Sequence, residues 1–150
     1  MGQPSIVRVS RTPGRTRGIL FFGATCGGVP LTLVDLPGYG YARVAKSDKA
    51  RWGHLIESYL ERRPTLRAVV CLIDARHEAQ PADRELVEFV AACRRRRILV
   101  ATKIDKLSKA ARGPAVEALS RAFGERVLGV SAVEGAGLEP LKQAILGATD

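Results

Sequence analysis

The sequence predicts an α/β fold with a mostly parallel sheet and helices on both faces. Three observations carry that expectation. Strand-like and helix-like stretches alternate from residue 67 to the end, the order that βαβ units impose. Ala68–Ile73, Ile98–Ala101 and Val127–Val130 are continuously apolar, as strands covered on both faces are. Polar residues close these runs: Asp74, Thr102 and Ser131, with Asp35 after the earlier run Leu31–Val34. Open α/β sheets bind ligands outside the carboxyl ends of their strands, so these four residues mark the expected site.

The composition is that of one globular domain over residues 1–150: 46% hydrophobic and 26% charged. No apolar run approaches the ~20 residues that cross a bilayer, and the N-terminal stretch has no signal-peptide pattern. No membrane association is expected. Cys26, Cys71 and Cys93 share no short metal-binding spacing, and they read as reduced thiols of a cytoplasmic protein. The net charge is +9, with four Arg and no acid in residues 1–34 and a run of four at Arg94–Arg97. Such an excess favours a polyanionic partner such as RNA. For the Arg94–Arg97 run, solvated helix ends are an equally good reading.

Each element has its own signal. Residues 4–17 read as a basic loop, with turn chemistry at Thr12-Pro13-Gly14-Arg15-Thr16. Gly18–Phe22 reads as a short strand, and Gly23–Pro30 as a hairpin connection to the strand Leu31–Val34. A helix capped by Ser47 or Asp48 runs to about Arg63, with Trp52, Leu55, Ile56, Tyr59 and Leu60 on its buried face. Pro81 opens the next helix, whose apolar positions are Leu86, Val87, Val90 and Cys93. A third helix lies between Ser108 and Phe123, its start blurred by Gly113-Pro114. Leu138, Leu141, Ala144 and Ile145 mark a fourth.

Two stretches carry chemistry beyond the pattern. Asp35-Leu36-Pro37-Gly38 is an acidic strand end before a Gly turn. That arrangement places a carboxylate near Mg²⁺ and a backbone N–H near a terminal phosphate. In Thr102-Lys103-Ile104-Asp105-Lys106, the Asp105 carboxylate can accept the N1–H and exocyclic amino group of guanine, a donor pair adenine lacks. The Lys103 stem can lie over the base, and an N–H at Ser131-Ala132 can reach the guanine carbonyl. The competing reading is an ordinary charged loop, with Thr16 a turn residue instead of a Mg²⁺ ligand.

Together these residues resemble the EngB (YihA/YsxC) family of bacterial translation-factor-like GTPases. The matching pieces are Arg11-Thr12-Pro13-Gly14-Arg15-Thr16, Asp35 to Ala42, Leu72-Ile73-Asp74-Ala75-Arg76-His77, Ala101 to Leu107 and Val130-Ser131-Ala132. The resemblance implies a P-loop GTPase-like fold that binds GTP and GDP with Mg²⁺. It also implies a role in assembly of the large ribosomal subunit through its rRNA, and in cell division and septation. Gly14, Arg15, Thr16, Arg17 and Gly18 would form a first switch, with Thr16 on Mg²⁺. Asp35, Leu36, Pro37 and Gly38 would form a second, with Asp35 reaching the metal through water. Thr102, Lys103, Ile104 and Asp105 would read guanine, and Val130, Ser131 and Ala132 would close over it. A monomer is expected.

Two departures qualify the expected activity. Tyr39 follows Gly38 where many GTPases carry a water-orienting Gln, so hydrolysis should be slow. No G-x-x-x-x-G-K-[ST] stretch occurs in the 150 residues. The resemblance therefore reads as a GTP-binding domain lacking its N-terminal strand and phosphate-loop helix, with poor folding and no GTP hydrolysis expected of these residues alone. That strand would lie between those ending at Asp35 and Asp74, leaving the two about 9–10 Å apart. The alternative is a short, basic, non-catalytic paralogue that binds ribosome or RNA without GTPase activity.

Overall fold

The structure, a computed structural model, describes residues 19–36 and 46–149, with backbone alone over 46–52. It divides into two compact units, Met1–Tyr59 and Leu60–Asp150.

In the first unit, β1 (Leu20–Cys26) and β2 (Val29–Asp35) form an antiparallel ribbon, Leu20 opposite Asp35 and Cys26 opposite Val29. The connection is two residues long, not the expected Gly23–Pro30 stretch. Gly27 (φ 56°) and Gly28 (φ 84°) both take the left-handed conformation, and their twist lets the strands continue up to the turn. Helix α1 (Lys46–Arg62) has Ile56 and Leu60 buried as its periodicity requires, whereas Leu55 is 43% exposed. Phe21 of β1 meets Tyr59 of α1 edge-to-face, centroids 6.2 Å apart.

The second unit is organised on a parallel sheet in the order β3 (Val69–Asp74), β4 (Arg97–Thr102), β5 (Val127–Gly129). Among the described residues β2 and β3 share no ladder, so the five strands fall into two sheets. Ile98, Leu99, Val100 and Ala101 of β4 are all buried. Ile98 and Val100 pack with Val130 and Ala148 under Leu141, Ala144 and Ile145 of α4 (Leu138–Leu146). Leu99 and Ala101 point to the opposite face, where α2 (Pro81–Ala92) packs on β3 and β4. Helices therefore cover both faces of β4.

Pro81 opens α2 as expected, and the Gln80 N–H donates to the Asp83 carboxylate at 2.9 Å in a capping box. Helix α3 (Lys109–Phe123) starts before Gly113-Pro114 and runs through it. Pro114 removes one bond, to the Ala110 carbonyl, which the burial of Leu119 and packing on β5 outweigh.

One expectation is corrected. Strand β3 is not covered on both faces. Cys71 and Ile73 are buried, at 0% and 1%, but Val70 and Leu72 are 36% and 61% exposed. The register places Leu72 beside Val100, on the face where α4 contacts β4, yet Leu72 itself stays exposed. Continuous apolar sequence is necessary for two-faced burial but does not supply the second cover.

Leu99→Ala should cost about 3 kcal/mol in urea unfolding, because β4 cannot collapse around the cavity. Leu72→Ala, one strand over, should cost less than about 0.5 kcal/mol. Burial also pushes the Cys71 thiol up to about 11 from 9.0. A folded-state pKa above the unfolded value stabilises fully below the unfolded value and stops doing so as pH rises through the folded one. Melting temperature should therefore drop between pH 9.0 and about 11, and this drop should shrink in Cys71→Ala.

Candidate functional site at the carboxyl ends of the strands

Three parallel strands in register bring their carboxyl ends to one side, and with them Asp74, Thr102 and the loop after Val130. Backbone bonds then lock the ends together. The Thr102 hydroxyl donates to the Ile73 carbonyl at 3.0 Å, and the Ala75 N–H donates to the Thr102 carbonyl at 3.0 Å. The Val130 N–H donates to Ala101, and the Ile104 N–H donates to Val130. Thr102 thus ties β4 to β3, and its hydroxyl is used within the fold.

After Thr102 the chain turns through Lys103, whose φ of 61° is unusual for a side-chain-bearing residue, into a single 3-10 turn at Ile104–Lys106. Ile104 is buried and anchors that turn. The turn carries Asp105 to Ser131, whose hydroxyl donates to Oδ1 of Asp105 at 2.7 Å. The same hydroxyl accepts the Glu134 N–H at 3.0 Å, so its one proton is committed to Asp105. Ser131 is fully buried. The Ser131 hydroxyl, then the backbone N–H of Asp105 itself and the Lys106 ammonium, hold the Asp105 carboxyl below its ordinary value. One bond to Oδ1 leaves a carboxylate with further acceptor positions, so Asp105 can still receive a pair of donors.

Lys103 is held as well. Its ammonium meets Oδ2 of Asp74 at 2.9 Å, and Arg76 forks onto the same carboxylate at 2.9 and 2.7 Å. The Arg76 guanidinium, followed by Lys103, holds the Asp74 carboxyl well below the usual carboxylate range. On the far side, Arg112 of α3 grips Glu134 with two bonds, at 2.6 and 3.0 Å. That pair ties the loop after β5 to α3 and lowers the Glu134 pKa. The loop closes at Gly137, whose φ is 74°; a Cβ there would lie 1.9 Å from the Gly129 carbonyl oxygen.

The structure therefore brings Thr102, Lys103, Ile104, Asp105, Val130 and Ser131 together, with Ala132 exposed beside them. Asp35 and Leu36 belong to the first unit, where Asp35 is the exposed last residue of β2. Gly14, Arg15, Thr16, Arg17, Gly18, Pro37 and Gly38 lie outside the described residues. Among the described residues no group of three or more His, Cys, Asp or Glu could hold a metal ion. A lone strand-end carboxylate such as Asp35 suits a Mg²⁺ held mainly by phosphates and water, not a metal caged by protein.

Sequence reasoning gave no role to Arg76, Arg112, Glu134 or Gly137. The D-A-R-H stretch contained the signal for Arg76, since a fork two residues from a carboxylate can fold back onto it. Arg112 and Glu134 are 22 residues apart on elements that only tertiary packing makes neighbours.

A family model described as "50S ribosome-binding GTPase" matches residues 1–103. The chain is 43% identical over 145 residues to the "Probable GTP-binding protein EngB" of Anaeromyxobacter sp. (strain K), covering 91% of this chain and 67% of that protein. It is 41% identical over 152 residues to that of Myxococcus xanthus (strain DK1622), covering 97% and 74%. Among solved structures it resembles a crystal structure of a probable GTP-binding protein engB, with TM-score 0.69, 19% identity, and 90% and 85% of the two chains covered. It also resembles Era in complex with MgGDPNP and a 16S ribosomal RNA segment, with TM-score 0.73, 22% identity, and 93% and 47% covered. These structural likenesses show the GTPase fold. With the sequence identity over most of its length, they establish that the chain belongs to the EngB family of GTP-binding proteins.

Proposed function

We propose that Thr102–Asp105 and Val130–Ala132 hold the guanine of GTP or GDP, with residues 1–150 acting as one GTP-binding domain. The observation that carries this reading is the 2.7 Å bond from the Ser131 hydroxyl to the Asp105 carboxylate. It keeps Asp105 ionised and fixed in direction, the state needed to accept two donors from one base edge. Lys103, whose ammonium meets the Asp74 carboxylate, would lay its stem over the base. Gly14–Gly18 and Asp35–Gly38 are the proposed switch segments, with Thr16 and Asp35 toward a nucleotide-bound Mg²⁺. That ion would neutralise phosphate charge.

No described side chain stands out as a base for attack on the γ-phosphate, and Tyr39 follows Gly38 in place of a water-orienting amide. Slow turnover, with binding rather than hydrolysis as the principal act, follows from that chemistry. Family membership supports a role in the cytoplasm on the large ribosomal subunit, in its assembly and in division and septation.

Asp105→Asn replaces an acceptor-only group with one that both donates and accepts. It should weaken GTP binding about a hundredfold and shift preference toward xanthosine triphosphate, whose base offers an oxygen where guanine has an amino group. Titration with fluorescent nucleotide analogues checks this; equal loss for both nucleotides would refute the assignment of Asp105. Breaking the clamp with Glu134→Gln should leave base preference unchanged and speed nucleotide release roughly tenfold. Stopped-flow displacement measures that rate.

A further inference from the structure

The pole opposite the candidate site is made of arginine. Parallel strands place all their amino ends on one side, and the segments entering β3, β4 and β5 there are residues 60–67, 93–97 and 124–126. They contain eight Arg, no Lys, and two acids, Glu61 and Glu125.

Half of these arginines are used within the protein. Arg95 donates to the Leu60 carbonyl and, at 2.7 Å, to that of Glu61, at the carboxyl end of α1. Arg96 caps Gly147 after α4 at 2.7 Å, and Arg97 pairs with Glu125, the nearer acid. Arg63 bonds the Thr65 hydroxyl at 3.0 Å. Most of the Arg94–Arg97 run is therefore a set of carbonyl and carboxylate partners.

The other half is different. Arg62, Arg67, Arg94 and Arg126 are exposed, and none has a side-chain hydrogen bond or ion pair among the described residues. Arg94 also stands just past the end of α2 in the left-handed conformation, φ 54°, a position glycine would occupy without strain. Beside them a cleft of about 340 Å³ opens between Arg96, Arg97 and Arg126 on one side and Pro140, Gln143 and Ala144 on the other. Of the four, Arg126 lines this cleft, whose floor is partly apolar through Ile98, Leu99 and Leu128.

We propose that this amino-terminal pole is a docking surface for the phosphate backbone of RNA, contacted by Arg62, Arg67 and Arg94 on the segments entering the strands and by Arg126 at the cleft. Guanidinium forks match phosphate oxygens bidentately, and a pole of arginines with little acid needs a partner of high linear charge density. The surface lies away from Asp105 and Ser131 and does not depend on the nucleotide reading.

The test compares two triple variants of the 150-residue chain. Arg67, Arg94 and Arg126 are changed to Ala in one. Lys109, Arg121 and Lys142, which belong neither to the segments entering the strands nor to the lining of the cleft, are changed in the other. Binding of a fluorescein-labelled RNA duplex of about 20 base pairs is followed by anisotropy from about 50 to 200 mM KCl. The pole variant should bind at least about tenfold more weakly, with a log–log salt slope lower by about 2–3, and the matched variant should bind within about twofold of the parent. Circular dichroism spectra matching the parent confirm that both are folded. Equal losses in the two variants would overturn the proposal, since total charge alone would then explain binding. So would unchanged RNA affinity in the pole variant, including the case where it loses binding only to phosphatidylserine vesicles or poly-glutamate.

Discussion

Burial of β4 on both faces, in a parallel ladder with β3 and β5, is the constraint on which the second unit depends. Ile98 and Val100 anchor one helical cover, and Leu99 and Ala101 face the other. With β4 central, parallel pairing leaves no choice about polarity: carboxyl ends gather on one side, amino ends on the other. Thr102 then fastens the carboxyl ends with its own hydroxyl, where Lys103 reaches Asp74 and Ser131 reaches Asp105.

The electrostatics follow this division. At the carboxyl pole each carboxylate has a partner that stabilises its charge: Arg76 and Lys103 for Asp74, the Ser131 hydroxyl for Asp105, Arg112 for Glu134. These bonds link three loops, each of which alone would lose considerable conformational entropy to become ordered. At the amino pole, arginines satisfy the last carbonyls of α1 and α4, where helix ends carry partial negative charge.

Much of this was legible in particular residues. Pro81 announced the start of α2, and the apolar runs located β3, β4 and β5 to within two residues. Asp105 and Ser131 were expected at one end of the sheet from their positions after successive strands, but the bond between their side chains was not foreseen, because only the tertiary fold shows it. The hairpin was misjudged in length because two adjacent glycines with positive φ let the strands run further than a loop-like composition suggested. Leu72 and Leu55 were misjudged in burial because an apolar residue does not say whether another element covers it. The Arg94–Arg97 run could not be divided into used and free members, since its partners are carbonyls as far as 51 residues away.

Local chemistry by itself therefore determined the element order, the polarity of the sheet and the polar residue types that close its strands, because strand period, capping and turn preference act over a few residues. Tertiary structure alone decided which partners those residues have. Asp74 holds Lys103 across 29 residues and Arg112 holds Glu134 across 22. Such pairs form only after β4 is buried, when packing brings distant segments to within a hydrogen bond.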